Sequence, residues 1–174
     1  ENIYPIILKE LKEIIVELLL VILNKSLVTG NVPDDFKTAS VTPIFKKGDK
    51  KQACNYRPIS LTSIVGKMLE SVIRDRIVEH LETNNLINST QHGFRNKRSC
   101  LTNLLDFFQE MIKTLEEEKA VDILYLDFQK AFDKVPHARL LEKIKAHGIR
   151  GSVLNWIKNW LSDRKQRVVI NGVC

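Results

Sequence analysis

The stretch VDILYLDFQKAFDKVPH, residues 121–137, holds the side chains best suited to chemistry. A mainly apolar run, 121–126, ends on Asp127, and a second aspartate, Asp133, follows six residues later. Short apolar and aromatic runs bounded by charge suit a largely buried strand. A carboxylate at the end of such a strand stands rigidly on the rim of a sheet and open to solvent, as a metal ligand requires. Carboxylates so placed hold pairs of divalent ions in phosphoryl-transfer sites, where the ions activate the attacking oxygen and neutralise charge on the leaving group. Asp127 could instead cap the following turn or pair with Lys130. Asp133 precedes Pro136, which can open a helix, so a structural role beside that helix is expected of it. His137, at the start of the same helix, reads as a packed or solvated imidazole rather than a base.

The charge of the chain points to the kind of partner. Lys and Arg number 27 against 21 Asp and Glu, a formal charge of +6, which favours a polyanion such as nucleic acid or an acidic membrane surface. Basic residues gather in three non-helical places: Lys46 to Lys51 (KKGDKK), Arg95 to Arg98 (RNKR) and Asp163 to Arg167 (DRKQR). Any one of them alone could be a solvated surface. Cys54, Cys100 and Cys174 are far apart with no Cys-x-x-Cys pair, so neither a disulfide framework nor a zinc site is indicated and a reduced, intracellular setting is expected. His80, His92, His137 and His147 do not have metal-ligand spacing either.

The elements that must position these residues follow from periodicity. A chain of 174 residues with 44% apolar and 28% charged residues can bury roughly 70% of its unfolded surface in one domain. Residues 6–28 carry an apolar stripe from Ile7 to Leu23 that predicts a buried helix ending near Gly30. Its densest part, Ile14 to Leu23, is interrupted by Glu17 and is shorter than the about 20 residues a membrane span needs. Val41, Ile44 and Phe45, then Tyr56, Ile59 and Leu61, predict two strands of a hairpin whose basic tip contains Gly48. A helix is predicted over 63–83 with Leu69, Val72, Ile73, Ile77 and Leu81 on one face. Ser99 is placed to cap another, with a stripe of Leu101, Leu104, Leu105, Phe108, Ile112 and Leu115. Pro136 opens a helix that stops at Gly148, and Ser152 caps one carrying Val153, Ile157, Trp160 and Leu161. The last strand, KQRVV, runs into Asn171-Gly172, a strong hairpin signal, so the chain is expected to stop inside a hairpin. Both ends read as cut.

Four segments in order resemble one family. VDILYLDFQKAFDKVPH is similar to the first catalytic motif of reverse transcriptases from retrotransposons without long terminal repeats, the LINE-type and jockey-like elements. VTPIFKKGDKKQACNYRPISLTSIVGKMLE, QHGFRNKRSCLTNLL and GIRGSVLNWIKNWLSDRKQRVVING resemble further motifs of that family. The resemblance implies an α+β fold, a partial right-hand polymerase with fingers and the first part of the palm, the palm sheet and thumb being incomplete. Residues 1–36 would be a helical N-terminal extension and 37–174 the reverse transcriptase domain. Asp127 would be the first catalytic metal ligand, with the backbone carbonyl of Phe128 a second contact, and Mg²⁺ the ion in the complete enzyme. Phe132 would pack under the incoming sugar and reject a 2′-hydroxyl, or serve as a core residue. Lys46, Lys47 and Arg57 would be candidates for triphosphate contacts, a guanidinium fork suiting phosphate oxygens. Arg95, Lys97 and Arg98 would track the template backbone, and Phe94 would stack on a base or pack. The implied partners are an RNA template, a DNA primer, deoxynucleoside triphosphates and the C-terminal palm and thumb of the same polyprotein, in cytoplasm and nucleus, with no membrane.

The family's catalytic centre also uses a Tyr-Ala-Asp-Asp hairpin, and no such sequence occurs in these residues. The one adjacent aspartate pair, Asp34-Asp35, lies upstream of every motif after a proline and reads as a solvated turn. One carboxylate does not hold two ions, and losing part of a cooperative catalytic unit costs orders of magnitude in rate. The chain alone is therefore expected to be inactive as a polymerase. The alternative is a non-catalytic, basic nucleic-acid-binding remnant; an in-frame paired-aspartate hairpin beyond Cys174 would favour the enzyme, and a stop codon the remnant.

Overall fold

The computed structural model describes residues 5–170, Pro5 by its backbone alone, and the hairpin expected at Asn171-Gly172 lies outside them. The observed class is α+β. The chain divides into two compact units, one made of residues up to Ile77 and from Pro136 onward, the other Val78–Val135.

The first unit begins with helices α1 (Pro5–Glu10) and α2 (Lys12–Thr29), the second ending where Gly30 takes the left-handed conformation, φ 70°. A glycine is needed there on two counts, since a Cβ would also stand 3.1 Å from Cβ of Asn155. A short helix, α3 (Asp34–Lys37), leads directly into strand β1 (Thr38–Phe45). Strand β2 (Tyr56–Thr62) returns antiparallel, in a register that pairs Ala39 with Thr62 and Phe45 with Tyr56. The predicted hairpin is thus present. Helix α4 (Ile64–Thr83) follows, and after the second unit come α6 (His137–Ala146), α7 (Gly151–Leu161) and strand β3 (Lys165–Val168). β3 joins the far side of β1 in parallel, giving the order β2-β1-β3. Arg150 rather than Ser152 occupies the cap position of α7, which places Ser152 inside the first turn.

The core of this unit is Val32, Phe36, Leu69, Ile73, Trp156 and Ile157. Gly66 lets α4 approach Phe36, where a Cβ would lie 3.1 Å from the ring. Trp156 Nε1 donates to Ser26 Oγ (3.0 Å), whose hydroxyl donates to the Asn31 carbonyl (2.6 Å), so the helix α2 end is tied to α7 by a buried polar chain. Val32 N–H donates to Asn159 Oδ1 at 2.9 Å, closing the same junction. Of the α4 face, Leu69 and Ile73 are buried as expected, while Val72 is exposed. The α2 stripe differs more: Ile14, Leu18 and Ile22 face solvent, because the helix is apolar on nearly every side and only the side bearing Leu23, Ser26 and Leu27 meets the core.

The second unit holds helix α5 (Cys100–Glu116), capped as expected by Ser99. Ser99 Oγ accepts from the Thr102 amide (3.2 Å) and Thr102 Oγ1 accepts from the Ser99 amide (2.9 Å), a reciprocal capping box. Ser99→Ala should cost about 1 kcal/mol and speed amide exchange at Thr102; unchanged exchange there would show the box to be irrelevant to the helix. The stripe Leu101 to Leu115 is amphipathic but exposed. Residues 121–126 are the main departure from expectation. They form no strand, and Leu124, Tyr125 and Leu126 are 82%, 79% and 76% exposed. The physical reason is that a strand needs a neighbour for its backbone groups, and Val78–Val135 contains no described strand to pair with. Among the described residues no helix is long and apolar enough to cross a membrane.

Candidate nucleic-acid and nucleotide interface

Sequence reasoning placed the candidate residues on three pieces, and the structure sorts them into two sets. Lys46, Lys47 and Arg57 share the β1–β2 hairpin. Lys46 follows the last residue of β1 and donates its backbone N–H to the Asn55 carbonyl at 2.9 Å, so it extends the ladder by one rung. Arg57 pairs across the sheet with Ile44. All three cations are exposed. The tip between the strands is stiffened by its own polar groups. The Asn55 side-chain amide donates to the Asp49 carbonyl (2.8 Å), Tyr56 Oη donates to the Lys50 carbonyl (2.9 Å), and the Asp49 carboxylate accepts from the Lys51 amide (2.9 Å). Gly48 has φ 89°, and a Cβ there would meet Asn55 Nδ2 at 2.7 Å, so the tip requires glycine. Phe45 and Tyr56 meet edge to face at 5.5 Å, and Lys50 Nζ lies 5.6 Å from the Phe45 ring centre. The result is a fixed hairpin carrying four lysines within six residues, 46–51.

The second set, Phe94, Arg95, Lys97, Arg98, Asp127, Phe128 and Phe132, belongs to Val78–Val135. The basic loop is anchored from beneath. His92 is buried, with Nε2 3.1 Å from Asp106 Oδ2 and Nδ1 2.9 Å from Thr102 Oγ1. Arg98 also reaches Asp106, at 3.3 Å. Arg95 donates from Nη1 to the Asn88 carbonyl (3.3 Å) and lies 3.7 Å from Glu82, its side chain only 20% exposed. Arg95 and Arg98 are thus spent largely on holding the loop. Lys97 has no such partner among the described residues and points its charge outward. Phe94 and Lys97 both have left-handed backbones, φ 60° and 59°, and Phe94 is 88% exposed. A bulky residue in that region costs about 1–2 kcal/mol, which the surrounding contacts must offset. The Phe94 ring meets Phe132 edge-on at 6.0 Å. Sequence reasoning missed His92, Asp106 and Glu82; the Ser99-x-x-Thr102 spacing was the available signal for the cap, and nothing in the spacing marked the histidine.

Asp127 and Phe128 follow the unpaired segment 121–126, both exposed. Among the described residues no group of three or more His, Cys, Asp or Glu could hold a metal ion. Asp127 is an exposed carboxylate that belongs to no such group among the described residues. Asp133 is exposed in the turns over 129–134, which Lys134 N–H closes by donating to the Lys130 carbonyl (3.1 Å).

The described candidate residues thus form a basic hairpin tip and an anchored loop that exposes a ring and a positive charge. The sequence profile described as "Reverse transcriptase (RNA-dependent DNA polymerase)" matches residues 45–173, which take in the hairpin from the last residue of β1 onward and the loop. The chain belongs to the reverse transcriptase family. Its relatives include "RNA-directed DNA polymerase from mobile element jockey" of Drosophila funebris, 34% identical over 88% of this chain and 17% of that protein. "Probable RNA-directed DNA polymerase from transposon BS" of Drosophila melanogaster is 26% identical over 99% of this chain and 19% of its own length. "Retrovirus-related Pol polyprotein from type-1 retrotransposable element R2" of Popillia japonica is 28% identical over 79% of this chain and 19% of its own length. This reverse transcriptase segment therefore spans less than a fifth of the length of these curated relatives, and it is similar to polymerases of retrotransposons.

Proposed function

We propose that these residues are the fingers and the first part of the palm of a retrotransposon RNA-directed DNA polymerase, with 1–36 a helical extension and 37–174 the polymerase part. The parent reaction is attack of a primer 3′-hydroxyl on the α-phosphate of a deoxynucleoside triphosphate opposite an RNA template. The observation that carries the reading is the stiffened hairpin tip with its exposed Lys46 and Lys47. A triphosphate is met there by point charges and by the Arg57 fork. Phe94 and Lys97 offer a ring and a charge to template base and backbone. Phe132 walls the sugar side of the nucleotide, excluding an added oxygen by volume. Asp127 and the Phe128 carbonyl would contribute to a divalent-ion site, Mg²⁺ in this reading, whose other carboxylates come from outside residues 1–174. On its own the chain binds template without extending a primer.

Salt-dependent binding of single-stranded RNA to the 174-residue chain tests this. Each cation that meets phosphate contributes about −0.7 to the slope of log affinity against log salt, so binding weakens about 2.6-fold per cation between about 50 mM and about 200 mM. Lys97→Ala should make the slope shallower by about 0.7. Affinity independent of salt would mean that the basic loops never touch phosphate.

A further inference from the structure

The outward side of α1 and α2 carries a pattern that the polymerase reading does not use. Ile7, Leu11, Ile14, Leu18, Val21 and Val28, with Lys25 between the last two, are spaced alternately by four and three residues. Within α2 this is a heptad seam over two repeats, Ile14 to Val28, the period at which helices wind around one another, with Leu11 at the cap position before it and Ile7 in the separate helix α1. It is open: Ile14, Leu18, Val21 and Val28 are 72%, 67%, 66% and 79% exposed, while Leu23, Ser26 and Leu27 on another side of α2 face the core. The α2 part alone, with 18 residues, runs about 27 Å.

The charges along the helix choose the occupant. Glu13 and Glu17 lie in its N-terminal half, and Lys25 is the one charged residue from 18 to 29. Glu13 meets only its exposed neighbour Lys12, at 3.5 Å, and neither Glu17 nor Lys25 has an ion-pair partner among the described residues. In a parallel pair of identical helices Lys25 would face Lys25 across the seam. In an antiparallel pair it lies level with Ile14 of the other helix and near Glu17, the carboxylate of that half with no basic partner among the described residues, so charge favours that direction.

We propose that α2 is an antiparallel self-association seam, pairing with α2 of a second copy of this chain. Leu18 packs against Val21 of the second copy on both sides of a two-fold axis, Leu11 against Val28, and Lys25 lies toward the second copy's Glu17. The pairing is isologous and therefore closes as a dimer.

Sedimentation equilibrium of the 174-residue chain tests it. The expected result is a concentration-dependent species of twice the chain mass, with Leu18→Glu raising its dissociation constant roughly a hundredfold or more because two buried contacts are lost per dimer. Leu18 is exposed in the single chain, so the variant should keep its far-UV circular dichroism. Direction is read by disulfide capture in a background with Cys54, Cys100 and Cys174 changed to serine. Leu18→Cys with Val21→Cys should cross-link efficiently, and Leu18→Cys alone poorly. A chain that is monomeric at all concentrations, or a dimer untouched by Leu18→Glu, overturns the proposal and leaves the seam to a helix of another protein or of a longer polypeptide. Efficient cross-linking through Leu18→Cys alone overturns the antiparallel direction.

Discussion

Asp127→Ala, introduced into a longer polypeptide that carries these residues and polymerises, is expected to lower primer extension by roughly a thousandfold or more, in line with the loss of one member of a cooperative catalytic unit. Template binding should change by less than about threefold, since the side chain is an exposed carboxylate that holds no neighbouring element in place. Asp133→Ala supplies the contrast. It sits in a turn closed by backbone groups, and its loss should leave extension within about tenfold of the parent. Measuring extension and template affinity on the same preparations separates the two roles. A variant at 127 that still extends primers would remove the metal-ligand assignment, and one that loses template binding as well would make Asp127 a structural residue.

The contrast between these two aspartates also marks how far the sequence could be read. Local signals were legible wherever one chain segment settles its own structure. The Ser99 cap, the Gly30 stop and the basic hairpin are each decided within about ten residues, and each is found where the residue types put it. Failure came where a distant partner decides. The run 121–126 has the composition of a buried strand, but composition cannot provide the neighbouring ladder, and without one it stays exposed. The parallel pairing of β3 with β1 joins residues more than a hundred positions apart and has no local signature. The α2 helix is the intermediate case. Its period is plain, yet a helix apolar on nearly all sides does not say which side its own core takes, and the side left over is the one offered to a second copy. At the candidate site, the charged residues were legible by type but their division of labour was not. Arg95 and Arg98 are engaged by Glu82, Asn88 and Asp106, which leaves Lys97 as the outward charge.

The largest stability effect should come from Trp156→Ala. The indole is 2% exposed and stacks on Trp160 at 6.2 Å with an interplanar angle of 13°. Removing it deletes the centre of the core and leaves Ser26 Oγ without its donor, a loss of about 3–5 kcal/mol. A domain of this size is stable by about 5–15 kcal/mol, so the variant should lose roughly a fifth or more of its margin. Urea denaturation followed by far-UV circular dichroism should show the midpoint falling with an unchanged slope. Trp156→Phe separates the two contributions: the ring is largely kept and the Nε1 donor is lost, at a cost of about 1 kcal/mol. Trp160→Ala should fall between them, because that ring is only partly buried and its Nε1 donates to Glu70 (2.8 Å) near the surface. If Trp156→Ala cost under about 1 kcal/mol, α7 would not be packed on α2 and α4 as the core places it.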